Sequence, residues 1–294
     1  MKILYIAKHG QPNNDDENSI WLSLLKLEHD VDRFQLSNFN RDKQILDQIR
    51  TEYDFVLFHK LPSQDYDEYV CSRWKGICWY FDAIGKGFAS NDDYIDMVKN
   101  ICFMGFFTDG DFVNSQGEDK IKLLRQGLDI DLEHDNSVYK SERKVLDFMF
   151  IGTVGHGGYT DREKYLSQLS HDYKWKPHTQ YSIFKDKLAA VCQGSKIMLA
   201  MPPVTDHYWS NRVYLLGGRS GFVLHPYASD LENQFGESLA FYKDYEELKS
   251  KIDFYCENDE KRERMAREAH SIIVNGHTYL HRCKELTETL NDYR

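Results

Sequence analysis

No two cysteines of this sequence stand in a C-x-x-C arrangement. The six are at 71, 78, 102, 192, 256 and 283, several of them inside apolar runs such as "GICWYF" and "NICFMGFF". That spacing argues against a zinc site and against a disulfide framework, and leaves reduced thiols in a core. Also missing is any run of about 18 apolar residues, the length a membrane-crossing helix needs. The opening "MKILYIAKHG" is too short in its apolar part for a secretory signal, so a soluble, cytoplasmic chain is expected. Positive charge is scarce: 37 Lys and Arg stand against 47 Asp and Glu, a formal charge of −10 with a pI near 5.6. This disfavours a protein that binds nucleic acid mainly by neutralising phosphates, and favours a small or uncharged partner. There is no fixed-period repeat and no low-complexity tract. The segment after the first apolar run, "YIAKHG", lacks G-x-G-x-x-G, which disfavours a dinucleotide-dependent dehydrogenase.

What is present is alternation. A chain of 294 residues is long for one domain, and two domains of about 130 to 150 residues are the default. In the first half, apolar runs rich in β-branched and aromatic residues ("KILYIA", "RFQLSNF", "DFVLFHKL", "GICWYFDAI", "ICFMGFF", "IKLLRQGL") alternate with polar stretches of helical period. Strand and helix alternating at this interval is the mark of a parallel sheet covered on both faces. Residues 131–145 are polar and without a convincing period, as a linker would be. The alternation then resumes with "LDFMFIGTVG", a helix from 160, another over 181–192, and the strands "SKIMLAMPP", "GFVLHPY" and "SLAFYKD". From 245 onward three apolar stripes at helical spacing follow, with Asn275-Gly276 as a break. The expected organisation is α/β: two Rossmann-like domains, residues 1–135 and 136–294, and a helical C-terminal tail.

In open α/β sheets ligands bind beyond the carboxyl ends of the strands. The first such loop of the second half is "GTVGHGGYTDR", where Gly155, Gly157 and Gly158 let a backbone approach a ligand and the helix start behind them offers N–H groups to a phosphate. A flexible turn is the plainer reading. The second is "HYWSNRVYLLGGRSGFVLHPY". Arg212 opens a short helix there and can pair bidentately with a diphosphate, unless it makes only a surface ion pair and the glycines only end the helix. Lys196 is a secondary phosphate candidate. His156 and His225 can donate to a phosphate or simply cap a strand. In "DYKWKPHTQYSIF", Trp175 or Tyr181 can stack on a nucleotide base with Lys174 and Lys176 reaching phosphate, or the stretch is a lysine-protected strand edge. "TDGDF" (108–112) contains D-x-D, an arrangement that can hold a divalent cation, but it reads first as a turn whose second Asp caps a helix.

"FIGTVG", "SKIMLAM", "WSNRVYLLGGRSGFVLHPYASDLENQF", "LAFYKDYEELKSKIDFYCEND" and "HTYLHRCKEL", in that order over residues 146–290, resemble the C-terminal half of CgeB-like glycosyltransferases of GT-B architecture. The resemblance implies two Rossmann-like domains facing across a cleft, a donor sugar nucleotide on the C-terminal one, an acceptor on the N-terminal one, and final helices crossing back to the first domain. Related retaining enzymes carry E-x7-E. Here those positions fall at His207 and Leu215, which leaves retention or inversion open. Asp206 is the substitute partner for donor sugar hydroxyls, and Glu232 the candidate for the ribose.

On the acceptor side His9, His59 and Asp82 follow the first, third and fourth strands. His9 or Asp82 can accept the proton of an attacking hydroxyl, as an inverting transfer requires, or each is a polar strand end with a local hydrogen bond. Arg212, Lys196 and helix dipoles can neutralise a departing diphosphate, so neither a metal nor a cofactor is expected, and the nucleotide sugar is substrate. A glycan, a lipid-linked molecule, a small molecule and a modified DNA base all remain acceptors. A non-catalytic nucleotide or nucleotide-sugar binding module is the competing reading, kept by the missing glutamates.

Overall fold

The computed structural model describes residues 1–9, 15–59, 61–84, 92–117, 119–129, 145–154, 160–176, 183 and 185–293. They form two compact units. Unit 1 holds the described residues up to 129 and from 279 onward; unit 2 holds those from 145 to 278.

In unit 1, β1 (Lys2–Ala7), β2 (Asp30–Gln35), β3 (Phe55–Phe58), β4 (Gly76–Tyr80), β5 (Met104–Phe107) and β6 (Ile121–Leu123) make a parallel sheet in the order β2-β1-β3-β4-β5-β6. Every residue of β3, β4 and β5 is buried. Their unbroken apolar sequences are what strands covered on both faces require, while β2, at the edge, exposes most of its residues. Alternate residues feed two cores: Ile3, Tyr5, Ile77 and Trp79 enter one, Leu4, Ile6, Cys78 and Tyr80 the other. The sheet is flanked by α1 (Asp15–Lys26), α2 (Phe39–Leu46), α3 (Gln64–Arg73), α4 (Asp92–Ile101) and α5 (Gly110–Gln116).

The apolar run 33–39 is not one strand. Asn38 takes an extended conformation and its side chain accepts from Asn40 N, so Phe39 opens α2 instead of ending β2. The D-x-D segment is a turn and helix cap. Asp109, the first of the two aspartates and not the second, caps α5 by accepting from Phe112 N at 3.1 Å. Its other oxygen accepts from Ile84 N at 2.9 Å. It is 1 % exposed and committed to two backbone amides. Among the described residues no cluster of three His, Cys, Asp or Glu is arranged to hold a metal.

In unit 2, β7 (Leu146–Met149), β8 (Ser195–Leu199), β9 (Val223–Pro226) and β10 (Ala240–Tyr242) pair in parallel, in the order β10-β9-β8-β7. Flanking helices are α6 (Thr160–Asp172), α7 (Lys185–Gly194), α8 (Arg212–Gly217), α9 (Ser229–Phe235), α10 (Tyr245–Glu257) and α11 (Asp259–Gly276). Phe148, Ile197, Leu199 and Leu224 from the strands, with Phe150 and Phe222 directly beside them, meet Leu166, Leu169, Leu248 and Ile252 from the helices in one core. α11 ends at Gly276, the break read from the sequence.

The last helix, α12 (Tyr279–Asn291), is part of unit 1. Its Tyr279, Cys283, Leu286 and Leu290 join the same core as Ile20 and Leu24 of α1. Tyr279 N donates to Leu128 O at 2.9 Å. None of the described helices is long and apolar enough to cross a membrane.

Candidate active site

The loops beyond the carboxyl ends of the unit 2 strands bring two arginines to one aromatic ring. Phe150 follows β7, and the guanidinium carbons of Arg162 and Arg212 each lie 5.7 Å from its ring centroid. Arg162, on α6, is 5 % exposed. Its Nε donates to Met201 O at 2.5 Å and its Nη1 to Thr153 O at 3.1 Å, tying the loop after β7 to the loop after β8. Arg212, half-buried, opens α8 and lies against Gly152. A β-carbon at Gly152 would collide with the Arg212 Nη2, and its backbone, at φ 148°, is one that side-chain-bearing residues rarely adopt. Glycine at 152 is therefore a condition for Arg212 to sit where it does. Arg162 was not singled out in the sequence. Its signal is there: Arg162, Leu166 and Leu169 share one buried helical face, and an arginine on such a face must have partners.

His225, in β9, is fully buried. Its Nδ1 lies 2.6 Å from Pro226 O, a group that only accepts, so Nδ1 carries the proton and Nε2 presents a lone pair. Nε2 is buried without a hydrogen-bond partner. Burial first, and the nearby Arg212 charge after it, push the ring down to about 4 despite the Pro226 hydrogen bond. At neutral pH His225 thus accepts a hydrogen bond rather than donating one, which suits a sugar hydroxyl and not a phosphate oxygen.

Of the remaining unit 2 candidates, Asp206, His207 and Glu232 gather at the start of α9, and Lys196 and Trp175 lie apart from them. Glu232, in the first turn of α9, is exposed and accepts from Tyr227 Oη at 3.0 Å. Asp206 is exposed, and its carbonyl accepts from Asp230 N at 3.1 Å. His207, at the first of the two glutamate positions, pairs through Nδ1 with Asp230 Oδ2 at 2.8 Å, and Leu215 lies within α8. Lys196 is at the amino end of β8, opposite to the carboxyl-end loops, and pairs with Asp147 Oδ1 at 2.7 Å. That hydrogen bond raises its pKa, and the strand direction removes it from the arginine cluster. Trp175 packs its ring 4.8 Å from that of Phe148, against the core, so its apolar face is committed to packing. Gly155, His156, Gly157, Gly158 and Tyr181 lie outside the described residues.

Unit 1 presents histidines at the carboxyl ends of β1 and β3. His59 Nδ1 lies 2.9 Å from Trp79 O and therefore donates, leaving Nε2 to accept from Tyr5 Oη at 2.7 Å. Burial pushes His59 down to about 4 and Tyr5 well above its usual range, so the pair is neutral. His9 donates from Nε2 to Tyr5 O at 3.2 Å and stands edge-on to the Tyr5 ring, 5.1 Å away. Its Nδ1 is left as a lone pair without a hydrogen-bond partner, and burial lowers its pKa. That is the state a proton acceptor needs. Asp82 is exposed just past β4.

His59 and His225 set an acid limit on stability. Both are held near 4 when folded, against about 6.5 for a solvated imidazole, so the unfolded chain binds the extra protons. The stability is complete above pH 6.5 and drains away as pH falls toward 4, by roughly 3 kcal/mol for each ring at the acid end. Denaturant titrations at pH 7.5 and pH 5 should show the wild-type midpoint falling, relative to that of His59→Gln, as the pH drops; the buried Asp67 carboxyl, raised to about 8, acts in the opposite sense in both chains and cancels from the comparison.

Comparison with solved structures establishes the architecture. Over 100% of this chain and 99% of the other, the fold matches sucrose-phosphate synthase from Thermosynechococcus elongatus with a TM-score of 0.70 at 9% identity. The Anabaena protein HepE matches as its UDP complex (TM-score 0.65, 11% identity) and as its UDP-glucose complex (0.64, 13%), each covering 99% of this chain and 100% of that one. No curated protein matches the sequence. The family model described as glycosyl transferase-like matches residues 138–288, just over half of the chain and the whole of the segment that carries Arg162, Arg212 and His225. The chain therefore belongs to the glycosyl transferase-like family and is a glycosyltransferase of the GT-B fold.

Proposed function

We propose that the protein is a CgeB-like enzyme that transfers a sugar from a uridine diphosphate sugar to an acceptor hydroxyl, with the diphosphate held by Arg212. The observation that carries this reading is the placement of Arg212, seated on the bare backbone of Gly152 beside Phe150, where a half-buried guanidinium can meet a diphosphate bidentately. The UDP and UDP-glucose in the HepE complexes support the choice of base. In the same reading His225 Nε2 accepts a donor sugar hydroxyl, Glu232 binds the ribose, and Asp206 assists at the sugar. His9 Nδ1 takes the proton of the acceptor hydroxyl, with Asp82 as the alternative proton acceptor. Charge on the departing diphosphate is balanced by arginine, so the transfer proceeds without a divalent cation. Glycans, lipid-linked sugars, small molecules and modified DNA bases are the acceptors to screen.

The test is a melting-temperature screen of nucleoside diphosphates and their sugars, with and without a divalent cation, followed by assay of UDP release. A uridine diphosphate sugar should raise the melting temperature by several degrees in the presence of EDTA, as a ligand of the native state must. No shift with any nucleotide would sink the reading.

A further inference from the structure

Unit 1 contains a second reactive constellation, away from the carboxyl-end histidines. Cys71 on α3 and Cys102, directly after α4, place their sulfurs 3.6 Å apart, both as free thiols. Room for this is made at the start of β4: a β-carbon on Gly76 would run into Cys71 Sγ. Asp67 lies one turn before Cys71 on the same face of α3 and is 0 % exposed. Neither of its carboxylate oxygens has a hydrogen-bond partner. A buried carboxyl with nothing to pair with is costly unless it is neutral, and burial raises its pKa to about 8. Cys102 is pushed upward by its hydrogen bond to Cys71, then by burial, then by Cys78, Cys71 and Asp67 nearby. On its own helix Asp67 has Glu68 as its charged neighbour. Cys71 is half-buried and Cys102 is 4 % exposed, so an oxidant reaches Cys71 first.

We propose that Cys71 and Cys102 form an oxidisable dithiol, a modification site for hydrogen peroxide. Cys71 gives its proton to solvent, and the thiolate attacks one peroxide oxygen. The O–O bond breaks, and the departing hydroxide takes up a proton from solvent as water. Cys71 is then a sulfenic acid. The Cys102 sulfur attacks it, the S–O bond breaks, and the departing hydroxide leaves as water with the Cys102 proton. Two thiols lose two electrons to one peroxide, yielding one disulfide and two waters. The closed ring contains β4 and the segment with Asp82, so the modification bears directly on the acceptor side of the reaction proposed above without depending on it.

The experiment treats the reduced full-length chain with hydrogen peroxide at pH 8 and follows intact mass and non-reducing peptide maps. A chain lighter by two hydrogens, a Cys71–Cys102 linked peptide and reversal by dithiothreitol are expected. In Cys102→Ser the linked peptide should be absent and Cys71 should stop at the sulfenic acid, heavier by one oxygen. A folded wild-type chain that yields no linked peptide overturns the proposal. The wild-type measurement needs no variant to fold, and neither readout involves a nucleotide, so failure here is distinct from failure of the donor-site reading.

Discussion

Arg212→Ala should weaken binding of a uridine diphosphate sugar by about tenfold to a hundredfold, the effect of losing a hydrogen-bonded charged pair in a partly buried site. The side chain lies on the ring of Phe150 and on the backbone of Gly152, so its orientation is set by packing before any ligand arrives. Two further variants separate charge from fold. Arg212→Lys keeps the charge without the planar fork and should recover only part of the affinity. Gly152→Ala leaves the arginine in the sequence but drives a methyl group into its guanidinium, and should weaken binding in the same direction. Isothermal titration with UDP, beside circular dichroism of each variant, decides the matter. Wild-type affinity in a folded Arg212→Ala would remove this residue from the donor site.

His9→Gln should reduce kcat by about a hundredfold to ten-thousandfold, the usual worth of a positioned proton acceptor, with KM for the donor little changed. The ring is suited to the task because Tyr5 O takes the Nε2 proton and leaves Nδ1 bare. Burial holds its pKa below the usual 6.5, so the proton-free form dominates at neutral pH. In the wild-type enzyme kcat should fall as pH drops through that lowered value, and this acid limb should be missing in His9→Gln. A variant that keeps both the rate and the acid limb would shift the role to Asp82.

Much of the architecture was legible because it rests on periodicity. The buried strands FVLF, GICWY and MGFF are unbroken apolar runs, and a strand covered on both faces leaves that trace in any sequence. The stretch 33–39 misled because one asparagine cap outweighed the apolar content around it. The site was less legible. Arg212 and His225 stand out beside their glycines and strand, but whether a histidine donates or accepts is decided by a single carbonyl, here Pro226 O, which no pattern announces. Lys196 shows the opposite failure. It lies in a strand, but at the end facing away from the carboxyl-end loops, and its charge is paired with Asp147. Arg162 was hidden because a buried arginine on an amphipathic helix looks like any polar residue until its two carbonyl partners are seen.

The assignment of α12 to unit 1 also sets an order of events during synthesis. The core of unit 1 needs Tyr279, Cys283, Leu286 and Leu290, which leave the ribosome after all of residues 145–278. The described residues of unit 2 all lie between 145 and 278, so they can collapse while unit 1 still lacks the helix that covers α1. The half translated first is thus completed last, and until then the apolar face formed by Ile20 and Leu24 lacks its final cover.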